Sequence, residues 1–301
     1  MVLMVPWVEK YRPSKLGTIV LTPENKRIFE TMLEESRIPN LLFYGPPGTG
    51  KTTTIMNLIH EYQIKNKETN QGLILHLNAS DDRGIEVIRT QIYTFVHSKN
   101  LLGNGTKFVI LDEVDYMTKT AQHALRYILH TPGVRFCLIG NYISKIEESL
   151  QTDVMNIRFD HLPHDQIIQF LRNISIQEEL NVSDEMLKEI QNQHGSDVRS
   201  MINFMQSNEL SNCKITGPHV WNELTQLIHE KENISIIIKC IHQLSQEYSV
   251  DHKTLLKDWI TYGLLHQHFR NISIQSIKQA MYSLETSVHG MTLLILTLLI
   301  E

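Results

Sequence analysis

Residues Gly45 to Thr52 read Gly-Pro-Pro-Gly-Thr-Gly-Lys-Thr, which fits the spacing Gly-x-x-x-x-Gly-Lys-Ser/Thr. Gly45, Gly48 and Gly50, with Pro46, Pro47 and Thr49 between them, let successive backbone N–H groups curl around an anion. The loop follows an apolar run, Leu41 to Tyr44, and opens onto a helical pattern from Thr52 to Tyr62, so a helix N-terminus adds partial positive charge. In that context Lys51 reaches the β- and γ-phosphates of a nucleoside triphosphate, Thr52 ligates Mg²⁺, and Thr53 completes the first turn. The chemistry expected of this segment is the binding of Mg·ATP.

Downstream, Phe108-Val109-Ile110-Leu111 is an apolar strand pattern that ends in two carboxylates, Asp112 and Glu113. Beside a phosphate loop, Asp112 is placed to hold the Mg²⁺ shell and Glu113 to polarise an attacking water as general base. A further strand, Phe136 to Gly140, ends in Asn141, whose amide is placed to sense a γ-phosphate; taken alone, an Asn there is a turn residue. Arg199 follows Gly195-Ser196-Asp197 near a helix start, from which it can swing onto the γ-phosphate; taken alone, it is a surface Arg facing solvent.

The elements that must position these groups follow a clear rhythm. From residue 38 to about 160, short apolar runs alternate with helical patterns, the signature of a parallel α/β sheet. Four runs read as buried strands: Leu41 to Tyr44, Leu73 to Leu77, Phe108 to Leu111 and Phe136 to Ile139. The chemistry-bearing residues fall at their C-terminal edges, where open α/β sheets bind ligands. After Pro163, helices are expected at Asp165 to Arg172, Asp184 to His194 and Asp197 to Gln206, forming a small helical lid. Gly217-Pro218 breaks the chain, and from Val220 onward the apolar spacing is helical with no strand signal. The division expected is 1–161, a nucleotide-binding domain; 162–217, the lid; and 218–301, an all-helical domain.

The net charge of −5 and pI of about 6.3 exclude a uniformly basic nucleic-acid coat, so any DNA contact must come from a local cluster of Arg and Lys. Cys137, Cys213 and Cys240 lie far apart, which indicates neither a zinc site nor a disulfide framework and fits a reducing compartment. The first residues carry early charges and lack the apolar core of a signal peptide, so an intracellular protein is expected. The apolar run Met291 to Ile300 is about half of what a membrane-spanning helix needs and reads as a buried helix.

Several longer strings carry a resemblance. They are Pro6-Trp7-Val8-Glu9-Lys10-Tyr11-Arg12-Pro13, the phosphate loop, Asn78-Ala79-Ser80-Asp81-Asp82-Arg83-Gly84-Ile85, Leu111-Asp112-Glu113-Val114-Asp115-Tyr116-Met117-Thr118, Ala121-Gln122-His123-Ala124-Leu125-Arg126, and Gly140-Asn141-Tyr142-Ile143-Ser144-Lys145-Ile146. Across about the first 205 residues the chain resembles the small subunits of replication factor C type clamp loaders, within the AAA+ ATPases.

The resemblance implies an AAA+ P-loop fold with a helical lid and a C-terminal helical collar that joins subunits into a hetero-oligomeric ring, a pentamer in such loaders. It implies ATP hydrolysis coupled to placing a sliding clamp on primer-template DNA, with no membrane role, in the nucleus; the wealth of Ile, Asn and His over Arg suggests an AT-rich genome, and if the source is a large DNA virus the place is a viral replication site. By the same resemblance Val8, Tyr11 and Arg12 wall the adenine pocket. Arg83 and Arg89, with Arg126, are the candidates for DNA phosphates, their alternative being surface ion pairs. Leu101 and Leu102 are candidates for contact with the clamp, their alternative being burial in the core. The chain departs from the family where Gln151-Thr152-Asp153-Val154 replaces the usual Ser-Arg-Cys, so no arginine finger is offered to a neighbouring subunit. Tyr127 also stands where a second Arg is usual. Two other readings are an ATP-binding scaffold subunit and a branch-migration helicase; the latter requires a C-terminal winged helix, for which no hairpin signal is present.

Overall fold

The structure is a computed structural model and describes residues 5–68, 70–80, 86, 88–98, 105–180, 182–211, 217–230, 233–248, 250–266 and 273–286. Contacts divide the chain into two units, Met1–Glu179 with His194–Asn203, and Leu180–Gln193 with Phe204–Glu301.

The first unit is built on five strands, β1 Leu41–Tyr44, β2 Ile74–Asn78, β3 Lys107–Asp112, β4 Val134–Gly140 and β5 Met155–Arg158. They form one sheet in the order β2-β3-β4-β1-β5, and every pairing is parallel. Register is set by pairs such as Leu41 opposite both Cys137 and Met155, and Ile110 opposite Cys137. A parallel sheet is covered on both faces, so its central strands are apolar throughout. Alternate residues still part to opposite sides. Leu41, Phe43, Phe108, Ile110, Cys137 and Ile139 enter one core, and Leu42, Val109, Leu111, Phe136 and Leu138 enter the other.

The first core is dominated by a trio of rings. Phe43 lies 5.4 Å from Phe29 and 4.9 Å from Phe159, centroid to centroid. Phe29 comes from the helix Pro23–Glu34, which is started by Pro23 at its first turn and by the Thr22 hydroxyl accepting from Asn25 N–H. In the second core lies the helix Lys119–Ile128, capped by the Thr118 hydroxyl accepting from Ala121 N–H.

The edge strand β5 was not among the runs expected from apolar patterning. Of its four residues only Ile157 is buried, because an edge position needs little apolar surface. Strand β2 runs from Ile74 to Asn78, one residue later than expected, because Leu73 belongs to a short 3₁₀ turn. The segment Trp7–Lys10 forms a single helical turn. The helices His164–Gln177, Asp184–His194 and Val198–Ser211 occupy the stretches expected of the lid.

In the second unit, helices Pro218–His229, Ile234–Tyr248, His252–Leu265 and Ile274–Thr286 share a core that includes Trp221, Leu224, Ile237, Ile241, Leu255 and Trp259. The buried Trp259 indole N–H donates to Thr225 Oγ1 at 3.0 Å, and that hydroxyl donates to Trp221 O at 2.7 Å, so these buried polar atoms are paired. Among the described residues this unit contains no strand. The run Met291 to Ile300 lies outside the described residues. Among the described residues no helix is long and apolar enough to cross a membrane, and no group of three or more His, Cys, Asp or Glu side chains is placed to hold a metal ion. Burial pushes the Cys137 thiol up to about 12, which leaves it an inert packing residue.

Replacing the central ring of the trio, Phe43→Ala, is expected to cost about 3–5 kcal/mol, read from the urea unfolding transition of the α/β unit.

Candidate functional site

Strand β1 delivers the chain into a loop that only glycine can follow. Gly45 has a φ of +141°, and a Cβ there would fall 1.7 Å from the carbonyl oxygen of Phe159. Gly48 has a φ of +73°, and its Cβ would fall 1.7 Å from Asp197 Oδ1. Gly50 is also left-handed and caps the helix Lys51–Asn66, whose first N–H groups open toward the cleft.

Lys51 is 7% exposed and turned back into its own loop, where Nζ donates to Gly45 O at 2.8 Å and Pro46 O at 2.7 Å. Burial lowers its pKa to about 8. The carboxylates of Asp112, Asp115 and Asp197 act in the opposite sense, and the Arg199 charge adds to the lowering. The two backbone carbonyls thus satisfy donors that a phosphate would satisfy better.

Thr52 Oγ1 donates to Asp112 Oδ2 at 2.7 Å, joining the first turn of the loop helix to the end of β3. Asp112 Oδ1 accepts from Glu113 N–H at 3.0 Å. Glu113 itself takes a left-handed conformation, φ +57°, which few non-glycine residues adopt and which turns the chain sharply off the strand. Two hard oxygen ligands this close, one hydroxyl and one carboxylate, fit Mg²⁺, which takes one or two protein oxygens and fills its shell with phosphates and water.

At the end of β4, Asn141 N–H donates to Asp115 Oδ1 at 3.2 Å. Asp115 is 5% exposed, and its Oδ2 has no hydrogen-bond partner among the described residues. This buried carboxylate fixes the backbone of Asn141, a role that sequence reading missed because one Asp in an Asp-x-x-Asp string carries no signal of depth.

Arg199, in the helix Val198–Ser211, makes no hydrogen bond or ion pair among the described residues. The start of that helix rests on the phosphate loop: Val198 N–H donates to Gly48 O at 3.2 Å, and Asp197 accepts from Ser200 N–H at 3.0 Å and Ser200 Oγ at 2.8 Å.

Val8, Tyr11, Arg12, Pro47, Gly48, Thr49, Gly50, Lys51, Thr52, Thr53, Asp112, Glu113, Asn141 and Arg199 all line one cleft of about 200 Å³ that opens to solvent. Gly45 and Pro46 stand behind it, holding Lys51. Arg12 Nε donates to Thr53 Oγ1 at 3.3 Å, tying the segment Trp7–Arg12 to the loop helix. The apolar lining of the cleft includes Ile19, Val20, Leu162, Phe170 and Ile202. That apolar wall was not legible in the sequence, since its members come from separated places and follow no period.

Arg126 lies outside the cleft. Its Nε donates to Asp153 Oδ2 at 2.7 Å, and His130 Nε2 is 3.6 Å from the same oxygen. The bond to Arg126 and its charge hold the Asp153 carboxyl below the usual carboxylate range. Arg83, Leu101 and Leu102 lie outside the described residues, as does the side chain of Arg89.

The lowered pKa of Lys51 has a definite sign in stability. Between pH about 8 and 10.5 the unfolded chain keeps a proton on Lys51 that the folded, nucleotide-free chain has released, so stability rises with pH across that window. Below about 8 both states are protonated and the cost of the buried charge is present in full. Urea denaturation without nucleotide is expected to show this rise in the native chain and its loss in Lys51→Met.

Residues 41–161 match the family described as ATPase family associated with various cellular activities (AAA). The chain is 35% identical over 255 residues to replication factor C subunit 5 of Mus musculus, covering 84% of this chain and 74% of that protein. To replication factor C subunit 5 of Homo sapiens it is 39% identical over 219 residues, covering 72% and 64%. To replication factor C subunit 3 of Saccharomyces cerevisiae it is 40% identical over 214 residues, covering 70% and 61%. A cleft built from a phosphate loop, an Asp-Glu strand end and an Arg at the start of the helix Val198–Ser211, with these relatives, places the sequence: the chain belongs to the replication factor C subunits of the AAA ATPases.

Proposed function

We propose that this chain is one ATPase subunit of a hetero-oligomeric clamp-loader ring, which uses ATP binding to hold an opened sliding clamp and primer-template DNA and hydrolysis to release them. The chain is an AAA+ ATPase acting in DNA replication. The observation that carries the finer reading is the convergence of Lys51, Thr52, Asp112, Glu113, Asn141 and Arg199 on one cleft that is also lined by apolar side chains.

Each residue then has a task. Lys51 leaves the carbonyls of Gly45 and Pro46 for the β- and γ-phosphates, and the N–H groups of Gly48 to Thr52 receive the rest of the phosphate chain. Thr52 and Asp112 hold Mg²⁺, which when bound neutralises charge on the β- and γ-phosphates. Glu113 accepts a proton from water as that water attacks the γ-phosphorus, and Asn141, its backbone fixed by Asp115, orients the same water. Arg199 meets the γ-phosphate from the lid, so lid position follows the state of the nucleotide. The adenine lies against the apolar lining, between the segment holding Val8, Tyr11 and Arg12 and the wall of Ile19, Val20 and Phe170.

The remaining assignments rest on the family. Residues 218–301 serve as the collar, 162–217 as the lid, Leu101 and Leu102 as a clamp contact, and Arg83 and Arg89 as phosphate contacts, at a nuclear or viral site of DNA replication. Arg126 is a weaker candidate for DNA, because a phosphate must displace its bond to Asp153. At the position where the family offers a finger, Asp153 brings negative charge already committed to Arg126, so this chain receives a finger from one neighbour and gives none to the other.

ATP turnover of the reconstituted ring with primed DNA and clamp tests the reading. Lys51→Ala in this chain is expected to abolish the stimulated turnover of its own site, and Glu113→Gln to lower it about 10²-fold or more while ATP still binds. Unchanged turnover in both variants would instead identify an ATP-binding scaffold. Asp153→Ala is expected to leave the adjacent subunit's turnover within about twofold, whereas loss of a true finger costs about 10³ or more.

A further inference from the structure

We propose that Glu178 is a positioning residue for ATP, holding the nucleoside wall of the cleft in register with the lid. The inference deepens the nucleotide-site reading and rests on it.

The segment Trp7–Lys10 is a single turn of helix, too short to hold itself in place by its own hydrogen bonds. Its position depends on anchors. One is Trp7, 2% exposed and packed edge-on against Tyr11 with ring centroids 6.3 Å apart. A second is the bond from Arg12 Nε to Thr53 Oγ1 at 3.3 Å. The third is Glu178: its Oε1 accepts from Lys10 Nζ at 2.5 Å and also from the Tyr11 hydroxyl.

Glu178 is itself placed by the lid. It caps the helix His164–Gln177, its N–H donating to Ile174 O at 2.9 Å, and the same helix supplies Phe170 to the cleft. The side chain is only 13% exposed, so the carboxylate is shielded from competing water. Its two donors hold its pKa below the ordinary glutamate value, with Lys10 the larger influence. Tyr11 and Phe170, two side chains lining one cleft from different elements, are therefore tied through one carboxylate.

The tie has a chemical selectivity. It acts on Tyr11 and on the helix that carries Phe170, and neither of its hydrogen bonds involves a residue of the phosphate loop. Loosening it should weaken recognition of the nucleoside and leave recognition of the phosphate chain intact. A general structural role would weaken both.

The test measures the affinity of the full chain for ATP and for inorganic triphosphate by calorimetry. Glu178→Ala is expected to raise the Kd for ATP about tenfold, in keeping with lost hydrogen bonds to a charged group, and to leave that for triphosphate within about twofold. Glu178→Gln, whose amide oxygen still accepts from Tyr11 and Lys10, should recover most of the ATP affinity, and Tyr11→Phe should lose part of it. Unchanged ATP affinity in Glu178→Ala overturns the proposal, as does an equal loss for both ligands. Lys51→Ala, which should lose both ligands, separates the two levels: a native chain that binds neither ligand overturns the nucleotide site itself.

Discussion

The parallel ladder that sets β4 between β1 and β3 is the constraint on which the cleft depends. Because all strands point the same way, the C-terminal ends of these three neighbours lie side by side. The phosphate loop leaves β1, Asn141 leaves β4, and Asp112 with Glu113 ends β3, so groups spread over about a hundred residues of chain reach one site. Two short bonds then hold them together across the strands. Thr52 to Asp112 joins the loop helix to β3, and Asn141 to Asp115 joins β4 to the turn beyond β3. Even β5 contributes, since the residue just after it, Phe159, places its carbonyl where Gly45 must have no side chain.

The phosphate loop offers an anion a helix N-terminus and two nearby cationic side chains. Lys51 and Arg199 bring positive charge to the same place, and burial of the Lys51 ammonium lowers its pKa to about 8 even with Asp112, Asp115 and Asp197 nearby. The loop carbonyls give that ammonium hydrogen bonds but no counter-charge. A triphosphate on the loop would bring negative charge within hydrogen-bonding reach of that ammonium and of the helix N–H groups, offsetting a cost that folding imposes.

How much of this was legible in the sequence follows from how locally each feature is encoded. The loop glycines answer to backbone geometry alone, and the strands β1, β3 and β4 are continuous apolar runs because both their faces are covered. Strand β5 was not legible as a run because an edge needs only Ile157 inside. The apolar wall of the cleft was hidden because Ile19, Leu162 and Phe170 are joined only by the fold. Arg126 and Asp153 show the same limit: read separately, one is a DNA contact and the other a lost finger, while 2.7 Å between them makes each the other's partner.

The left-handed Gly48 lies so close to Asp197 that the loop and the start of the helix Val198–Ser211 share a single space. A methyl group on one would occupy the carboxylate oxygen of the other, 1.7 Å away. The two positions, 149 residues apart, are sterically coupled, because a side chain at residue 48 would meet both the carboxylate of residue 197 and, at 3.0 Å, its Cα. A side chain at residue 48 forces the loop away from the start of the helix Val198–Ser211, and shortening residue 197 removes the acceptor for Ser200 in the helix that carries Arg199. Neither position can change without disturbing the other.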